Sequence, residues 1–337
     1  MSQIAVGIVG ASGFTGLELI KIALAHPRFE LAYLATTEGG VNLSDLHPAL
    51  AGVCDQPVEK MDIQKLADRC ELAFLAVPHQ SAMAIAAPLL KRGVKVVDLS
   101  ADYRLERETY EAAYCPHSDT ANLAHAVYGM PEMHREAIGS ARLVANPGCY
   151  PTAALLGLLP FIEAIDFSAP VIVDAKSGVS GAGKKCVETT HFATVNDNCF
   201  TYAPLAHRHQ PEMIEKLSQL SGQKPQLLFI PHLLPITRGM LASIYVRLKA
   251  PIDAQAVAES YYADNPFVRV RNRPVSAKQV AGTHFCDLFV RRQGEMLLIG
   301  TAIDNLLRGA SSAAVANANL MMGLDEQLGL PMMAHVP

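Results

Sequence analysis

From Ile4 to Leu99 the chain alternates short apolar runs with helical ones, and that alternation leaves few folds open. Ile4–Val9 reads as a continuous apolar strand, followed by a glycine turn and a helix ending near His26-Pro27. Leu31–Ala35 is a second strand; Asp62–Arg69 reads as a helix, Leu72–Val77 as a strand, Ser81–Arg92 as a helix and Val94–Leu99 as a strand. Strands apolar on both faces, each followed by a helix, predict a parallel sheet covered on both sides. After residue 149 the pattern changes. Strands are expected at Val171–Asp174, Leu227–Ile230, Met240–Leu248, Phe285–Arg291 and Glu295–Ile303, with few helices between them. The last two, separated by Arg292-Gln-Gly294, predict a hairpin and a more antiparallel sheet. A final helical run, Ala310–Met322, would cover either part. At 337 residues the chain exceeds the ~250–300 at which single cores divide, so two domains are expected.

The turn after the first strand is Gly7-Ile-Val-Gly10-Ala-Ser-Gly13-Phe-Thr-Gly16. Glycines between a strand and a helix permit a tight turn and let backbone N–H groups approach a pyrophosphate at the helix N-terminus. The spacing is GxxGxxG, and its place at the head of a βαβ pattern points to dinucleotide binding. Gly10, Ser12, Gly13, Phe14, Thr15 and Gly16 are the candidate contacts. The second strand ends Leu34-Ala35-Thr36-Thr37-Glu38. An acidic residue at this strand end would hold a ribose 2′-hydroxyl; Thr36 and Thr37 instead tolerate a 2′-phosphate, so NADP is expected, with Glu38 close by. The predicted fold is therefore α/β: a Rossmann-type doubly wound parallel sheet, plus an α+β domain with a mixed, largely antiparallel sheet.

Composition excludes other classes. The net charge is −4, with no basic run, which argues against a nucleic-acid partner. Seven cysteines without a CxxC pair suit a reducing compartment rather than a disulfide framework or zinc site. No Lys or Arg precedes Lys21, unlike a secretory signal, and no apolar run approaches the ~20 residues of a membrane span. A cytoplasmic protein without membrane partner or bound metal is expected.

Cys149 lies in Arg142-Leu-Val-Ala-Asn-Pro-Gly-Cys-Tyr-Pro-Thr152, between a strand (Arg142 to Ala145) and a helical run (Thr152 to Leu159). A thiol at a helix mouth faces unpaired N–H groups and a dipole that favour the thiolate. Arg104, in Asp98-Leu-Ser-Ala-Asp-Tyr-Arg104 after a strand end, could clamp an anion. Ser177, Ser180 and Lys184 lie in a glycine-rich run after another strand and are possible phosphate contacts. His207 and His209, in His207-Arg208-His209-Gln210-Pro211-Glu212, precede a helix opened by Pro211. In extended chain their imidazoles share one face. No third ligand is evident for a metal, so proton transfer with the thiol is the more economical role for one of them.

Taken together, these runs resemble the N-acetyl-γ-glutamyl-phosphate reductase family, relatives of aspartate-semialdehyde dehydrogenase. The resemblance is carried by Gly10–Gly16, Val77-Pro-His-Gln-Ser81, Asp98–Arg104, Tyr128-Gly-Met-Pro-Glu132, Asn146–Thr152 and Ser177–Gly183. It continues through His207–Glu212, Pro231–Gly239 and Asp304-Asn-Leu-Leu-Arg-Gly-Ala310, spanning nearly the whole chain in the family's order. Arg308 stands where many relatives carry lysine, which keeps the charge. The resemblance implies a dinucleotide domain (1–148 and 309–337) and a substrate and dimerisation domain (149–308). It also implies a homodimer or homotetramer, and NADPH-dependent reduction of an acyl phosphate to an aldehyde in arginine biosynthesis. Cys149 would carry a thioester, with His207 and then His209 as choices for the acid/base. Pro78, His79, Ser177, Gly178 and Asn305 would surround the nicotinamide. Arg104 would meet the substrate phosphate, with Ser180, Lys184 and Arg208 as further substrate contacts. Two rivals share the fold. One is an aspartate-semialdehyde dehydrogenase. The other, an inactive dinucleotide sensor, predicts loss of the nucleophile or its histidine, and both are present.

Overall fold

The computed structural model describes residues 3–334. The chain forms two units: Met1–Pro147 with Ala310–Pro331, and Gly148–Gly309 with the chain end from Met332.

The first unit is built on eight strands: β1 (Ile4–Val9), β2 (Phe29–Thr36), β3 (Val41–Asn42), β4 (Pro57–Lys60), β5 (Leu72–Leu75), β6 (Lys95–Asp98), β7 (Val127–Tyr128) and β8 (Leu143–Ala145). They lie in the order β3-β4-β2-β1-β5-β6-β8-β7. Every pair is parallel except β3 with β4. Val6, Ile8, Phe74, Leu75, Val96 and Val97 are buried, as strands covered on both faces require. Each such side chain contributes about 1.5–3 kcal/mol by leaving water. The order reverses at β1, which has β2 on one side and β5 on the other. A doubly wound sheet binds ligands beyond the carboxyl ends of the strands at that point. The Gly10 turn follows β1 there, and Pro78-His79 follow β5. The expected helix at Asp62–Arg69 is Ile63–Arg69, with Asp62 as its cap accepting from the Gln64 and Lys65 N–H groups at 2.9 and 3.1 Å.

The second unit holds β9 (Val171–Gly178), β10 (Phe200–Thr201), β11 (Leu227–Leu234), β12 (Met240–Arg247), β13 (Val268–Arg271), β14 (Cys286–Gln293) and β15 (Met296–Ile303). Their order is β10-β11-β9-β12-β15-β14-β13. Only β11 with β9 and β13 with β14 pair in parallel, so the sheet is mixed and mostly antiparallel, as the pattern after residue 149 predicts. The helix Cys149–Leu158 packs on β12 and β15. Small residues bring it close: a Cβ on Gly157 would lie 2.9 Å from the side chains of Ile299 and Thr301. Thr301 donates to the Ala153 carbonyl at 2.9 Å and Tyr262 to that of Leu156 at 2.6 Å.

This helix begins three residues earlier than the sequence suggests, at Cys149 rather than Thr152. The misleading residue is Pro151. In the first turn of a helix a missing N–H breaks no hydrogen bond, so proline is accepted there. Among the described residues, no helix is long and apolar enough to cross a membrane.

Candidate active site

In the first unit the three glycines of the turn have different reasons to be there. Gly10 takes φ +91°, and a Cβ would sit 2.1 Å from the Ala76 carbonyl oxygen. A Cβ on Gly16 would sit 2.2 Å from the Gly10 carbonyl oxygen. Packing therefore demands both. Gly13 is under no such pressure, its nearest neighbour lying 3.7 Å from an added Cβ. It caps the helix Phe14–Ala25, and no side chain bonds that cap. A Cβ there would fill the space beside the first-turn N–H groups, which is where a pyrophosphate binds. Ser12, Phe14 and Thr15 are half-buried in this turn. At the end of β2, Thr36 Oγ1 accepts the Gly39 N–H at 2.9 Å, while Thr37 and Glu38 are exposed.

After β5, Pro78 is exposed and His79 half-buried. His79 Nδ1 accepts the Ala101 N–H at 2.9 Å. The next residue, Gln80, holds φ +72°, a conformation that disfavours a side chain. Asp102 stabilises it. Its carboxylate accepts the Gln80 N–H at 2.6 Å, the Ala82 N–H at 2.9 Å and the Tyr110 hydroxyl at 3.0 Å. Asp102 thus fixes the His79 loop, a role its place in the Asp98–Arg104 run had not suggested. Asp98 is fully buried, and desolvation pushes its carboxyl up to about 7 against the pull of the Ser100 hydroxyl and N–H. Arg104 is 5 % exposed and donates Nε to the Asn146 carbonyl and Nη2 to the Leu99 carbonyl, both at 2.7 Å.

In the second unit Cys149 is half-exposed at the first position of its helix. Gly148 is the cap, and its N–H donates to Glu212 Oε1 at 2.9 Å. The Thr152 N–H and hydroxyl both donate to the Gly148 carbonyl at 2.9 Å. Glu212 is 2 % exposed, so a buried carboxylate positions the turn that presents the thiol. Gly309 approaches from the other end of the unit's sequence. A Cβ there would lie 2.6 Å from the Cys149 Cβ and 3.1 Å from its Cα. Both residues lie in runs that carry the resemblance, but neither was a site candidate from the sequence.

An aromatic cluster surrounds the two histidines. His207 packs edge-on against Tyr150, Tyr202 and Phe229, with centroids 5.5, 5.4 and 5.4 Å away, and against His209 at 4.9 Å. Tyr202 donates to the Tyr150 hydroxyl at 2.8 Å, and burial raises the pKa of both phenols. Burial, and then the Arg208 charge, lower the His207 imidazole to about 4. The expectation of extended chain through 207–209 fails. The Gln210 N–H donates to the His207 carbonyl at 2.8 Å and His209 has helical φ −82° and ψ −10°. The backbone turns here because it must enter the helix Gln210–Ser221, so the rings meet across a turn.

Ser177, Gly178, Ser180 and Asn305 come together at the end of β9. Asn305 donates to Ser180 Oγ at 3.0 Å and accepts the Gly239 N–H at 2.7 Å. Ser177 donates to the Gly178 carbonyl at 3.0 Å. Gly178 is tight, an added Cβ lying 2.9 Å from the Arg238 backbone. Lys184 and Arg208 are exposed. Buried Asp304 anchors the run that follows, accepting the Gly282, Leu306 and Leu307 N–H groups at 2.7, 2.9 and 3.0 Å and pairing with Arg238 at 3.2 Å. Among the described residues, no group of three His, Cys, Asp or Glu side chains could hold a metal ion.

Residues 5–141 match the family described as "Semialdehyde dehydrogenase, NAD binding domain" and 149–305 match "Semialdehyde dehydrogenase, dimerisation domain". The first unit is thus an NAD(P)-binding Rossmann domain. Among solved structures, aspartate semialdehyde dehydrogenase II from Vibrio cholerae shares the fold with TM-score 0.74 at 17% identity, over 96% of this chain and 99% of that one. Aspartate semialdehyde dehydrogenase from Candida albicans, solved with NADP, gives 0.73 at 15% identity, over 95% and 99%. Curated relatives are far more similar in sequence. The N-acetyl-gamma-glutamyl-phosphate reductase of Wolinella succinogenes is 59% identical and that of Sulfurimonas denitrificans 57%, each over 100% of both chains. At that identity and coverage, the chain belongs to the N-acetyl-gamma-glutamyl-phosphate reductase family of the semialdehyde dehydrogenases.

Proposed function

We propose that the protein reduces N-acetyl-γ-glutamyl 5-phosphate with NADPH to N-acetylglutamate 5-semialdehyde and phosphate, through a thioester on Cys149, in arginine biosynthesis. The observation that carries this reading is the half-exposed thiol at the first position of a helix whose cap is held by Glu212. The helix terminus favours the thiolate. The thiolate attacks the acyl carbon, phosphate leaves, and the thioester stays electrophilic. NADPH, when bound, supplies the hydride that reduces it. Gly10, Ser12, Gly13, Phe14, Thr15 and Gly16 would hold the pyrophosphate. Thr36 and Thr37 would hold the adenosine end, and Pro78, His79, Ser177, Gly178 and Asn305 the nicotinamide end. His207 and His209 serve the reacting carbonyl.

Arg104, Ser180, Lys184 and Arg208 are the proposed polar contacts to substrate. Arg104 has less of its guanidinium to offer, since Nε and Nη2 already hold carbonyls. An unchanged KM for the acyl phosphate in Arg208→Ala would remove that residue from the set. Mixing enzyme and acyl phosphate without NADPH should leave an acyl adduct on the Cys149 peptide after acid quench. Absence of that adduct in mass spectra would count against the thioester.

NADPH should be preferred to NADH, because β2 ends on Thr36 and Thr37 follows it, where a carboxylate would repel a 2′-phosphate, the nearest one being Glu38 a residue further on. Comparable kcat/KM for the two would overturn this preference.

A homodimer or homotetramer is also proposed. One face of the second sheet carries a row of apolar side chains in register across four strands, Leu228, Ile172, Tyr245 and Leu298. All four are partly exposed, and Tyr245 is 38% exposed. A contiguous apolar row suits a self-complementary interface. Sedimentation should give an oligomer that Tyr245→Lys weakens; a wild-type monomer at micromolar concentration would refute the assignment.

A further inference from the structure

The glycine turn after β1 is braced by a residue from outside its own run. His47 Nε2 lies 2.7 Å from the Ala11 carbonyl oxygen, 36 residues away in sequence, and His47 is 6% and Ala11 0% exposed. A carbonyl oxygen only accepts, so Nε2 carries the hydrogen and donates. The ring is held from its own side as well. His47 closes the short helix Leu43–Leu46, its N–H donating to the Leu43 carbonyl at 2.8 Å. The turn Pro48–Leu50 follows at once, with the Leu50 N–H on the His47 carbonyl at 2.9 Å. Buried Leu43 and Leu50 anchor this segment in the core.

This bond decides how one peptide of the turn is rotated. In a trans peptide the C=O and the next N–H point in opposite directions. With the Ala11 carbonyl turned to His47, the Ser12 N–H faces the other way. The neighbouring N–H groups are already engaged. Gly10 and Ala11 both donate to the Ala35 carbonyl, at 2.9 and 3.1 Å, and Gly13 donates to that of Gly10 at 3.2 Å. The Ser12 N–H has no partner among the described residues. It immediately precedes the Gly13 cap of the helix Phe14–Ala25, whose first-turn N–H groups no side chain satisfies.

We propose that His47 is a positioning residue for the dinucleotide: by holding the Ala11 carbonyl it leaves the Ser12 N–H free as a donor to the pyrophosphate. This rests on the reading of Gly10–Gly16 as the pyrophosphate turn. The opposite rotation of the same peptide would turn a carbonyl dipole toward the phosphate charges. It would also leave the His47 N–H buried without an acceptor, and an unpaired buried donor is costly. The histidine therefore makes one rotation the stable one before any ligand arrives. A donor fixed in advance loses little freedom on binding, which favours affinity. The role involves no proton transfer, since imidazole with its hydrogen on Nε2 and imidazolium both donate to the Ala11 carbonyl.

The test compares His47→Gln, which keeps an N–H donor, with His47→Leu, which keeps bulk and has none. NADPH binding is followed by its fluorescence, without substrate. The leucine variant should bind NADPH about tenfold to a hundredfold more weakly, the usual effect of one hydrogen bond to a charged group. The glutamine variant should bind close to wild type. In turnover, the leucine variant should show a raised KM for NADPH with kcat little changed, the pattern of lost uniform binding. Equal affinities of the two variants would overturn the proposal. The wild-type enzyme gives a second reading that needs no variant. In amide ¹H–¹⁵N spectra of the deuterated enzyme, saturation with NADP⁺ should move the Ser12 N–H proton downfield. A Ser12 signal that stays in place while those of Phe14 and Thr15 move would refute the inference and leave the pyrophosphate turn standing. No movement anywhere in Gly10–Gly16 would instead remove that turn as the site, and the inference with it.

Discussion

Cys149→Ala is expected to abolish turnover while leaving the fold in place. The substitution removes one half-exposed sulfur and leaves Gly148, Glu212 and the helix cap untouched. Losing a covalent nucleophile costs on the order of 10⁴–10⁶ in kcat. Two of the other thiols are sheltered: Cys70 and Cys286 are buried, and burial pushes the Cys70 thiol up to about 12. Cys186 and Cys199 are exposed, so alkylation must be read peptide by peptide rather than as a total thiol count. NADPH consumption with the acyl phosphate, alongside an unchanged circular dichroism spectrum, checks the prediction. A mutant within tenfold of wild type would dismiss Cys149 as nucleophile.

Gly309→Ala should be nearly as damaging, although residue 309 carries no chemistry. The added methyl would sit 2.6 Å from the Cys149 Cβ, and neither atom is on a flexible side chain that could move aside. Backbone must shift, either at the helix start or in the turn that the Gly309 N–H closes onto the Asp304 carbonyl at 2.9 Å. Overpacking of this kind costs about 1–3 kcal/mol in stability. Misplacing a reactive group by about 1 Å costs on the order of 10² in rate. The expected outcome is a folded enzyme with a modestly lowered Tm and kcat reduced about a hundredfold. Wild-type kcat and Tm together would mean that the Gly309–Cys149 contact is loose.

The sequence makes the first unit legible because strands buried on both faces must be apolar throughout, so Ile4–Val9 and Leu72–Leu75 stand out as runs. Gly10–Gly16 is equally visible, since glycine spacing is written locally. Short edge strands such as Val41–Asn42 and Phe200–Thr201 carry two residues each, too few to set a period. The contacts that build the thiol site are invisible for another reason. Glu212 and Gly148 are 64 residues apart, and nothing local to Glu212 says that its carboxylate will cap the turn before Cys149. Gly309 reads as an ordinary glycine until Cys149 is folded against it. Likewise, alternate spacing of His207 and His209 suggests extended chain, but the helix that follows imposes a turn. That turn brings the His209 N–H onto His207 Nδ1 at 3.1 Å.

The most direct test of the central claim runs the reaction backwards. Wild-type enzyme is given NADP⁺ and either N-acetylglutamate semialdehyde or aspartate semialdehyde, with and without phosphate, and NADPH formation is followed. Rapid, phosphate-dependent reduction of NADP⁺ is expected with N-acetylglutamate semialdehyde, and little with aspartate semialdehyde. Preference for aspartate semialdehyde, or a rate independent of phosphate, would contradict it.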